Sequence, residues 1–304
     1  MNLDALQNFC AENGCTCLIH EPMSAHTSFH IGGPCDAFIT VETDAQLCAL
    51  IAYLRASQHP FRVIGKGSNL LVPDDGYRGI VVTFSGTAAE DMTADPEQGI
   101  LCCGAGTTLK NACRAALRAS LTGLEFAYGI PGSVGGAVFM NAGAYGGEIS
   151  QVLVSVDYLD ENAEIRTISA KDAQLSYRRS IFMDHPEWVI LRAKFSLGHG
   201  DPAEIQAKMD DLMGRRKSKQ PLEFPSAGST FKRPEGSYAS MLIDQCGLKG
   251  LTVGGAQVSE KHAGFVINRG NATFADVTAL CTKVREIVQA QTGFVLELEP
   301  EVLK

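Results

Sequence analysis

The chain lacks an apolar run of about 18 residues, the length needed to span a bilayer, and it lacks an excess of basic charge. Its 26 Lys and Arg residues stand against 34 Asp and Glu residues, which gives a formal net charge of −8. A protein that follows a nucleic-acid backbone needs a basic surface, so this balance disfavours a nucleic-acid partner. The segment Met1–Gly14 also lacks a basic stretch followed by an apolar one. We therefore expect no signal peptide and a cytoplasmic location.

Cys-x-x-Cys pairs are also absent, although the chain contains ten cysteines. Neither the pair Cys15 and Cys17 nor the adjacent Cys102 and Cys103 has the ligand spacing of a zinc site. In a chain of 304 residues without an export signal, we expect reduced and mostly buried thiols. The sequence therefore predicts no metal site.

The length, with 45 % apolar and 20 % charged residues, predicts an ordinary globular protein of two or three domains. Apolar spacing predicts helices over 43–57, from near 107, over 203–219, near 238–246 and over 273–291, and strands over 61–64, 79–84, 100–103, 152–159, 188–197 and 294–298. Thr273 and Asp276 have the spacing of a capping box, and Gly293 fits the position that ends a helix. The character of the sequence changes near residue 200, where we expect a second domain to begin.

Glycine is concentrated in two segments of the first half. Gly65–Asn69 follows a predicted strand, and Gly129–Gly147 contains seven glycines. The first segment is not a Rossmann fingerprint, because Leu70 stands where a third glycine is required, and not a Walker A motif, because Lys66 precedes Gly67. Successive backbone N–H groups in such a loop suit a pyrophosphate, but a plain β-turn uses the same residues. Composition alone leaves both interpretations open.

Several short motifs occur in a fixed order along nearly the whole chain. They are Thr27–Gly33, Gly65–Val72, Gly129–Gly136, Asn141–Gly146, Ser176–Phe182, Ala227–Pro234 and Glu299–Val302. In these motifs and in their order, the sequence resembles the UDP-N-acetylenolpyruvoylglucosamine reductase family. It is similar to the shorter subclass of that family, which has no inserted loop that closes a tyrosine over the substrate.

The resemblance implies an α+β fold: an FAD-binding domain of the vanillyl-alcohol-oxidase/PCMH type plus a C-terminal α+β substrate-binding domain. It implies that 1–58 form the N-terminal part of the FAD-binding region, 59–198 the FAD-binding domain, and 199–304 the substrate-binding domain with the C-terminal catalytic strand. It also implies FAD and NADPH as cofactors in the reduction of UDP-N-acetylglucosamine enolpyruvate to UDP-N-acetylmuramate, a step of peptidoglycan precursor synthesis. We expect a monomer that binds this small molecule and neither nucleic acid nor a membrane.

The residues that the resemblance assigns to FAD binding lie in the glycine-rich segments. They are Gly65, Lys66, Gly67, Ser68, Asn69, Leu70, Pro131, Gly132, Ser133, Gly135, Gly136, Asn141, Ala142 and Gly143. In the family the FAD pyrophosphate lies on loop amides, so the resemblance favours the anion-binding interpretation of these loops.

Three residues match the family's catalytic positions: Arg178, Ser229 and Glu301. Arg178 would support the substrate carboxylate with a permanently charged group, and a protonated Glu301 would donate to the same developing charge. Such a glutamate needs a raised pKa, which burial would supply. Ser229 would donate the proton that completes the reduction. Without the resemblance, Arg178 fits a surface charge beside Arg179. Ser229 equally fits a turn, and Glu301 a solvated edge strand.

The substrate carries a diphosphate and a carboxylate, and basic residues are concentrated between Gly214 and Pro234. That segment contains six basic residues and one acid, a local excess that suits an anion site. The resemblance assigns substrate binding to Tyr145, Tyr177, Lys219 and Arg233. Two alternatives stay open: charges near a helix C-terminus that only stabilise the helix, and packing for Tyr145. His30 and His262 are expected to be structural.

Two rival functions also stay open. An oxidase or dehydrogenase of a small alcohol on the same flavin fold would need a base near the flavin, and no cluster in the sequence replaces Ser229 and Glu301 in that role. An inactive nucleotide-binding module would be expected to have lost Arg178, Ser229 or Glu301, and all three are present.

Overall fold

The computed structural model describes residues 2–86, 88 and 91–303. Its helices are α1 (Leu3–Glu12), α2 (Asp44–Ala56), α3 (Leu109–Arg118), α4 (Val134–Phe139), α5 (Pro202–Lys219), α6 (Ala239–Gln245) and α7 (Phe274–Thr292). Its strands are β1 (Thr16–Ile19), β2 (Cys35–Val41), β3 (Phe61–Val63), β4 (Leu70–Leu71), β5 (Tyr77–Phe84), β6 (Met92–Asp95), β7 (Ile100–Gly104), β8 (Leu121–Thr122), β9 (Gly143–Ala144), β10 (Gly147–Glu148), β11 (Leu153–Leu159), β12 (Ile165–Ser169), β13 (Val189–Ser196), β14 (Gly198–His199), β15 (Thr252–Val253), β16 (Ala256–Val258), β17 (Val266–Asn268) and β18 (Glu301–Val302). The outer ends of the first and last predicted domains, residues 1 and 304, lie outside the described residues.

The chain divides into two compact units. Unit 1 comprises Met1–Ile19, Ala37–Lys66 and Gly79–Arg215, and unit 2 comprises His20–Asp36, Gly67–Arg78 and Arg216–Lys304. Unit 2 therefore includes two short segments from the first third of the chain as well as the C-terminal part. The predicted domain borders after residues 58 and 198 stay a prediction.

Unit 1 is built around two sheets. One has the strand order β1-β2-β5-β3, with β1 and β2 antiparallel and β3 and β5 parallel. The other has the order β12-β11-β13-β7-β6 and is antiparallel throughout. Two short antiparallel pairs, β9 with β10 and β8 with β14, complete the described strands of this unit.

Helix α2 shows how the sequence produces the core of unit 1. Thr43 caps the helix, since its hydroxyl accepts a hydrogen bond from the Gln46 amide at 3.2 Å. The helix then places an apolar side chain on one face at each turn, and all four of these side chains are fully buried: Leu47, Leu50, Ile51 and Leu54. Each such burial contributes roughly 1.5–3 kcal/mol relative to an exposed side chain. This stripe therefore fixes the helix against its sheet.

Unit 2 has a smaller core around helix α7. Thr273 and Asp276 form the predicted capping box, in which each side chain accepts a hydrogen bond from the other residue's amide, at 3.0 and 3.1 Å. Gly293 ends the helix with φ +78°, as predicted. The helix packs its apolar face beside the antiparallel sheet β15-β16-β17, and the buried residues there include Val277, Leu280, Val284 and Val288. Strand β18 pairs in parallel with β4.

The predicted strand over 294–298 is wrong. The burial of Phe294–Leu298 does alternate, with Leu296 fully buried, but the described residues there form only one isolated bridge, between Leu298 and Phe231. Alternation reports which side chains are buried and does not report whether the backbone has a neighbouring strand. The short strand of this region begins later, at Glu301.

None of the helices in the described part of the chain is both long and apolar enough to cross a membrane. The cysteines are free thiols. Burial raises the pKa of the Cys103 and Cys281 thiols to about 12, so these two are protonated at neutral pH.

Candidate active site

The first glycine loop, Gly65–Asn69, follows strand β3. Within unit 1, Gly65 lies directly against Ser133, and a Cβ atom on Gly65 would stand 2.1 Å from the Ser133 hydroxyl oxygen. The Gly65 carbonyl accepts a hydrogen bond from the Thr83 hydroxyl at 3.2 Å. The structure therefore brings the two predicted glycine segments together, and glycine is needed at 65 because no side chain fits there.

The rest of this loop belongs to unit 2. Gly67 has φ +60°, and a Cβ atom there would stand 2.1 Å from the His26 carbonyl oxygen. The Gly67 carbonyl accepts from the Ser28 amide at 3.2 Å, and the Asn69 carbonyl accepts from the Glu301 amide at 2.9 Å. Among the described residues, the amides of Gly67, Ser68 and Asn69 donate to no protein atom. Successive N–H groups left free in a turn are suited to binding an anionic oxygen.

The second glycine loop, Pro131–Gly136, leads into helix α4. Ser133 is buried and caps this helix, since its hydroxyl accepts from the Gly136 amide at 3.3 Å. The amides of Val134 and Gly135 donate to the carbonyls of Thr107 and Ala105, each at 2.8 Å. The segment Gly104–Thr107, which contains a further Gly-x-Gly sequence, thus fixes the loop through these two hydrogen bonds. That supporting role is a feature that the sequence did not reveal.

Asn141 and Gly143 follow helix α4. Asn141 is fully buried with φ +43°, its amide nitrogen donates to the Ser176 carbonyl at 3.0 Å, and its amide oxygen accepts from the Ser150 amide at 2.9 Å. The Gly143 carbonyl lies 3.4 Å from a guanidinium nitrogen of Arg178. Both residues therefore make contacts within the protein itself.

Tyr145 lies at the tip of the hairpin formed by β9 and β10. Tyr145 and Gly146 both have positive φ, +55° and +87°, which is the geometry of a type I′ turn. The Tyr145 side chain is 43 % exposed, so it is not held in the core. Of its two predicted roles, this exposure disfavours packing.

Arg178 lies in a tight turn between Ser176 and Arg179. Ser176 and Arg179 exchange two backbone hydrogen bonds, at 3.0 and 3.1 Å, and Arg178 has φ +55°. The Arg178 guanidinium lies 5.0 Å from the centre of the Tyr177 ring. Arg179 instead forms an ion pair with Asp184 at 2.7 Å. Arg179 is therefore a surface charge paired with Asp184, as the sequence alternative for this dipeptide describes.

Ser229 is exposed and precedes a firmly held residue. Thr230 is buried, its amide donates to the Gly264 carbonyl at 2.8 Å, and its hydroxyl accepts from the Val266 amide at 2.8 Å. Gly228, on the other side, has φ +78°. Ser229 is thus an accessible hydroxyl between a glycine turn and an anchored residue, a position that suits a proton donor and equally a turn.

Glu301 begins strand β18, and its amide donates to the Asn69 carbonyl at the end of the first glycine loop. Its side chain is exposed. The buried carboxyl that the sequence interpretation expected at 301 is therefore not found.

A cleft of about 330 Å³ lies within unit 2, and we name it the basic cleft. It is lined by Tyr238, Asp244, Lys249, Lys261 and His262, among others. Lys249 pairs with Asp244 at 2.7 Å. The Lys261 ammonium donates to the Lys217 carbonyl at 2.9 Å. These contacts hold the two lysine side chains in place. Two cations beside the Tyr238 ring suit an anionic, ring-containing ligand.

His262 also lines the basic cleft, although the sequence favoured a purely structural role. Its Nδ1 accepts a hydrogen bond from the Gly264 amide at 3.2 Å, so the neutral ring carries its proton on Nε2. Burial lowers the pKa of His262 below its usual range, and the positive charges of Lys249 and Lys219 lower it further. A neutral donor beside cations is therefore expected at neutral pH.

Two of the predicted substrate residues lie near this cleft. The charge of Lys219, the last residue of α5, is close enough to affect His262. The Arg233 guanidinium lies 4.1 Å from the centre of the Tyr238 ring, which lines the cleft. Sequence reasoning missed Lys249, Lys261 and Tyr238, because each is a single residue outside the basic segment that it singled out.

Within the described residues, no group of three or more His, Cys, Asp or Glu side chains is arranged to hold a metal ion.

Comparison with known proteins gives two family matches. Residues 34–169 match the model of an FAD binding domain. Residues 220–303 match the model of the UDP-N-acetylenolpyruvoylglucosamine reductase C-terminal domain. The predicted fold class, a flavin-binding domain of the vanillyl-alcohol-oxidase/PCMH type plus a C-terminal α+β domain, is therefore confirmed.

Individual relatives match over nearly the full length. The UDP-N-acetylenolpyruvoylglucosamine reductase of Caldanaerobacter subterraneus subsp. tengcongensis is 49 % identical, over 93 % of this chain and 92 % of the relative. That of Clostridium beijerinckii is also 49 % identical, over 92 % and 90 %. The crystal structure of UDP-N-acetylenolpyruvylglucosamine reductase (MurB) from Thermus caldophilus is 36 % identical, with a TM-score of 0.79, and the match covers 95 % of this chain and 99 % of that chain.

Proposed function

The chain belongs to the UDP-N-acetylenolpyruvoylglucosamine reductase family, and from this premise we propose that it reduces UDP-N-acetylglucosamine enolpyruvate to UDP-N-acetylmuramate in peptidoglycan precursor synthesis. It is an oxidoreductase with FAD as its cofactor and NADPH as the source of reducing equivalents. The observation that carries the proposal is the match of residues 220–303 to this reductase's own C-terminal domain. An FAD domain alone would fit an oxidase equally well.

The residues of the two glycine loops fit the phosphates of FAD. Glycine is required at 65 and 67 by contacts with Ser133 and His26, and the free amides of Gly67, Ser68 and Asn69 offer donors to an anion. Gly65–Leu70 would hold the pyrophosphate, together with the second loop: Pro131, Gly132, Ser133, Gly135 and Gly136. Ala142 and Gly143 would lie beside the cofactor. When bound, FAD supplies hydride transfer to the substrate.

Three side chains carry the chemistry of the substrate. Reduction adds a hydride at one carbon of the enolpyruvyl double bond and a proton at the other, and negative charge develops on the conjugated carboxylate. Arg178, held in its turn, would stabilise that charge, and it is always protonated. Glu301, protonated once a ligand covers it, would donate to the same group. Ser229 would deliver the proton to the second carbon.

The basic cleft is our candidate for the nucleotide end of the substrate. Lys249 and Lys261 would pair with the diphosphate, with Lys219 and Arg233 nearby, and His262 would donate from Nε2. Tyr238 offers a ring face for a base. Tyr145 and Tyr177, both exposed, remain candidates for contact with the substrate.

The proposal also covers the domains, the location and the oligomeric state. We propose that 1–58 and 59–198 bind FAD and that 199–304 bind the substrate. We also propose that the protein is cytoplasmic and monomeric. Size-exclusion chromatography with light scattering would measure the mass in solution directly, and a dimer would contradict the last of these.

The test uses the purified FAD-loaded protein. With NADPH and UDP-N-acetylglucosamine enolpyruvate, we expect NADPH consumption and a sugar nucleotide heavier by two hydrogens, identified by mass spectrometry as UDP-N-acetylmuramate. UDP-N-acetylglucosamine, which lacks the double bond, is the matched control and should leave NADPH consumption at background.

Two results would overturn the proposal. One is a protein that consumes no NADPH with the enolpyruvyl substrate although FAD is bound. The other is a protein that leaves NADPH untouched and oxidises a small alcohol, which would favour the oxidase alternative.

A further inference from the structure

The turn that presents Arg178 is short and strained. Ser176 and Arg179 exchange backbone hydrogen bonds at 3.0 and 3.1 Å, so that only Tyr177 and Arg178 connect them. Arg178 has φ +55°, a left-handed conformation that costs an L-residue with a side chain about 1–2 kcal/mol. Such a conformation persists only where neighbouring contacts hold it in place.

Asn141, which also belongs to unit 1, holds this turn through a hydrogen bond. The Asn141 amide nitrogen donates to the Ser176 carbonyl at 3.0 Å, the same carbonyl that accepts from the Arg179 amide. The Asn141 amide oxygen is itself fixed by the Ser150 amide at 2.9 Å. Asn141 thus connects the turn to the segment that follows the β9–β10 hairpin.

The same segment also contacts the far end of the arginine. A guanidinium nitrogen of Arg178 lies 3.4 Å from the carbonyl of Gly143, two residues after Asn141. Both the backbone and the charged group of Arg178 are therefore held by Asn141–Gly143.

The sequence assigned Asn141 to FAD binding, and its surroundings favour a different role. The residue has no accessible surface, and its amide nitrogen and oxygen both engage protein backbone. A side chain in that position is poorly placed to touch a cofactor. It is well placed to fix a neighbouring turn.

We propose that Asn141 is a positioning residue that fixes the Ser176–Arg179 turn and thereby aims the Arg178 guanidinium at the substrate carboxylate. The inference rests on the catalytic role proposed for Arg178. It concerns Asn141 alone and assigns it no contact with FAD or substrate.

Asn141→Asp is the informative variant, because it keeps the shape and the acceptor for Ser150 and replaces the donor to Ser176 with a carboxylate oxygen. Asn141→Gly is the second variant, since glycine accepts the left-handed φ without strain. Asn271→Gly is the matched control: Asn271 is an exposed asparagine with φ +55° in unit 2. Thermal unfolding and bound FAD are measured for each, so that a folding defect is recognised.

The kinetic readout separates the two half-reactions. We expect both Asn141 variants to slow substrate reduction by about 10- to 100-fold, the range that misplacing a catalytic group produces, while reduction of the flavin by NADPH stays unchanged. Asn271→Gly should leave both steps unchanged. In an Arg178→Ala background, Asn141→Asp should add almost nothing, because residues that act as a unit are not additive.

Hydrogen exchange provides a readout that does not depend on catalysis. The Arg179 amide should exchange faster in Asn141→Asp, because its acceptor carbonyl has lost a second anchor. Unchanged exchange, or effects of Asn141→Asp and Arg178→Ala that multiply fully, would overturn the inference. Full activity in Arg178→Ala would instead remove the proposed role of Arg178 on which it rests.

Discussion

The glycine loops and the basic cleft, to which we assign ligand binding, are built in opposite ways. In the loops, the contacts are made by backbone, and glycine is required because a Cβ atom at 65 or 67 would overlap Ser133 or His26. In the cleft, the contacts are offered by the ends of long side chains. Lys249 is held there by Asp244, and Lys261 is held by the Lys217 carbonyl and by Glu223. The loops are therefore rigid in shape and the cleft is adjustable.

This difference predicts different responses to mutation. A loop that offers its backbone N–H groups to a ligand has little room for an added side chain. A substitution there should therefore affect folding and FAD retention together. A cleft of exposed lysines loses one charge at a time, and its affinity should fall in steps and weaken with salt. Each prediction below tests one side of this comparison, from the largest expected effect to the smallest.

Gly67→Ala should have the largest effect. It combines a left-handed φ with a Cβ 2.1 Å from the His26 carbonyl oxygen, so we expect a loss of about 2–4 kcal/mol in the free energy of unfolding, together with loss of bound FAD. Gly214→Ala is the control, since it lies in helix α5 with open space around its Cβ position among the described residues, and it should stabilise by about 0.5–1 kcal/mol. Urea denaturation and flavin absorbance measure both. A Gly67→Ala protein that keeps wild-type stability and FAD would show that the loop can accommodate a side chain at this position.

Lys249→Gln and Lys261→Gln should have an intermediate effect on substrate affinity. A hydrogen bond to a charged group contributes about 1.5–3 kcal/mol, so each change should raise KM by roughly 10- to 100-fold with kcat nearly unchanged. Lys232→Gln removes the same charge at a residue that pairs with Glu297 and does not line the cleft, and its KM should stay near wild type. Steady-state kinetics at two salt concentrations provide the measurement. Equal effects of all three changes would mean that net charge, and not the cleft, determines affinity.

His262 should give the smallest effect, through the pH dependence of stability. The pKa of His262 is lowered in the folded protein, first by burial. As the pH drops below the ordinary value of about 6.5, the unfolded chain therefore binds more protons than the folded protein, and the free energy of unfolding decreases. Above that value His262 contributes no pH dependence. His262→Gln should therefore flatten the decline in Tm between neutral and mildly acidic pH. A decline that is as steep in the variant as in the wild type would contradict the lowered pKa.

Local sequence signals predicted most of the regular structure. Helix α2 was predicted from its apolar spacing, and α7 from Thr273, Asp276 and Gly293. These features act within a few residues, so they can be recognised in a single sequence. The strand predicted over 294–298 failed because strand pairing depends on a distant partner, which no local pattern reports.

The residues to which we assign ligand binding divide into the same two groups, those with a local signal in the sequence and those without one. Gly65, Gly67 and the loop around Ser133 could be found because several glycines in one short segment are conspicuous. Lys249 and Lys261 could not, because each is one lysine among many until the fold assembles them. The contact of Asn141 with Ser176 joins residues far apart in the chain and has no local signature.

The most direct test of the account compares the two half-reactions in wild type and Ser229→Ala without oxygen. NADPH should remove the oxidised flavin absorbance at nearly the same rate in both proteins. On addition of UDP-N-acetylglucosamine enolpyruvate, the absorbance should return promptly in wild type and about 10²- to 10⁴-fold more slowly in the variant, because only the proton donor is missing. Failure of the wild-type absorbance to return, or equal slowing of both steps in Ser229→Ala, would contradict the account.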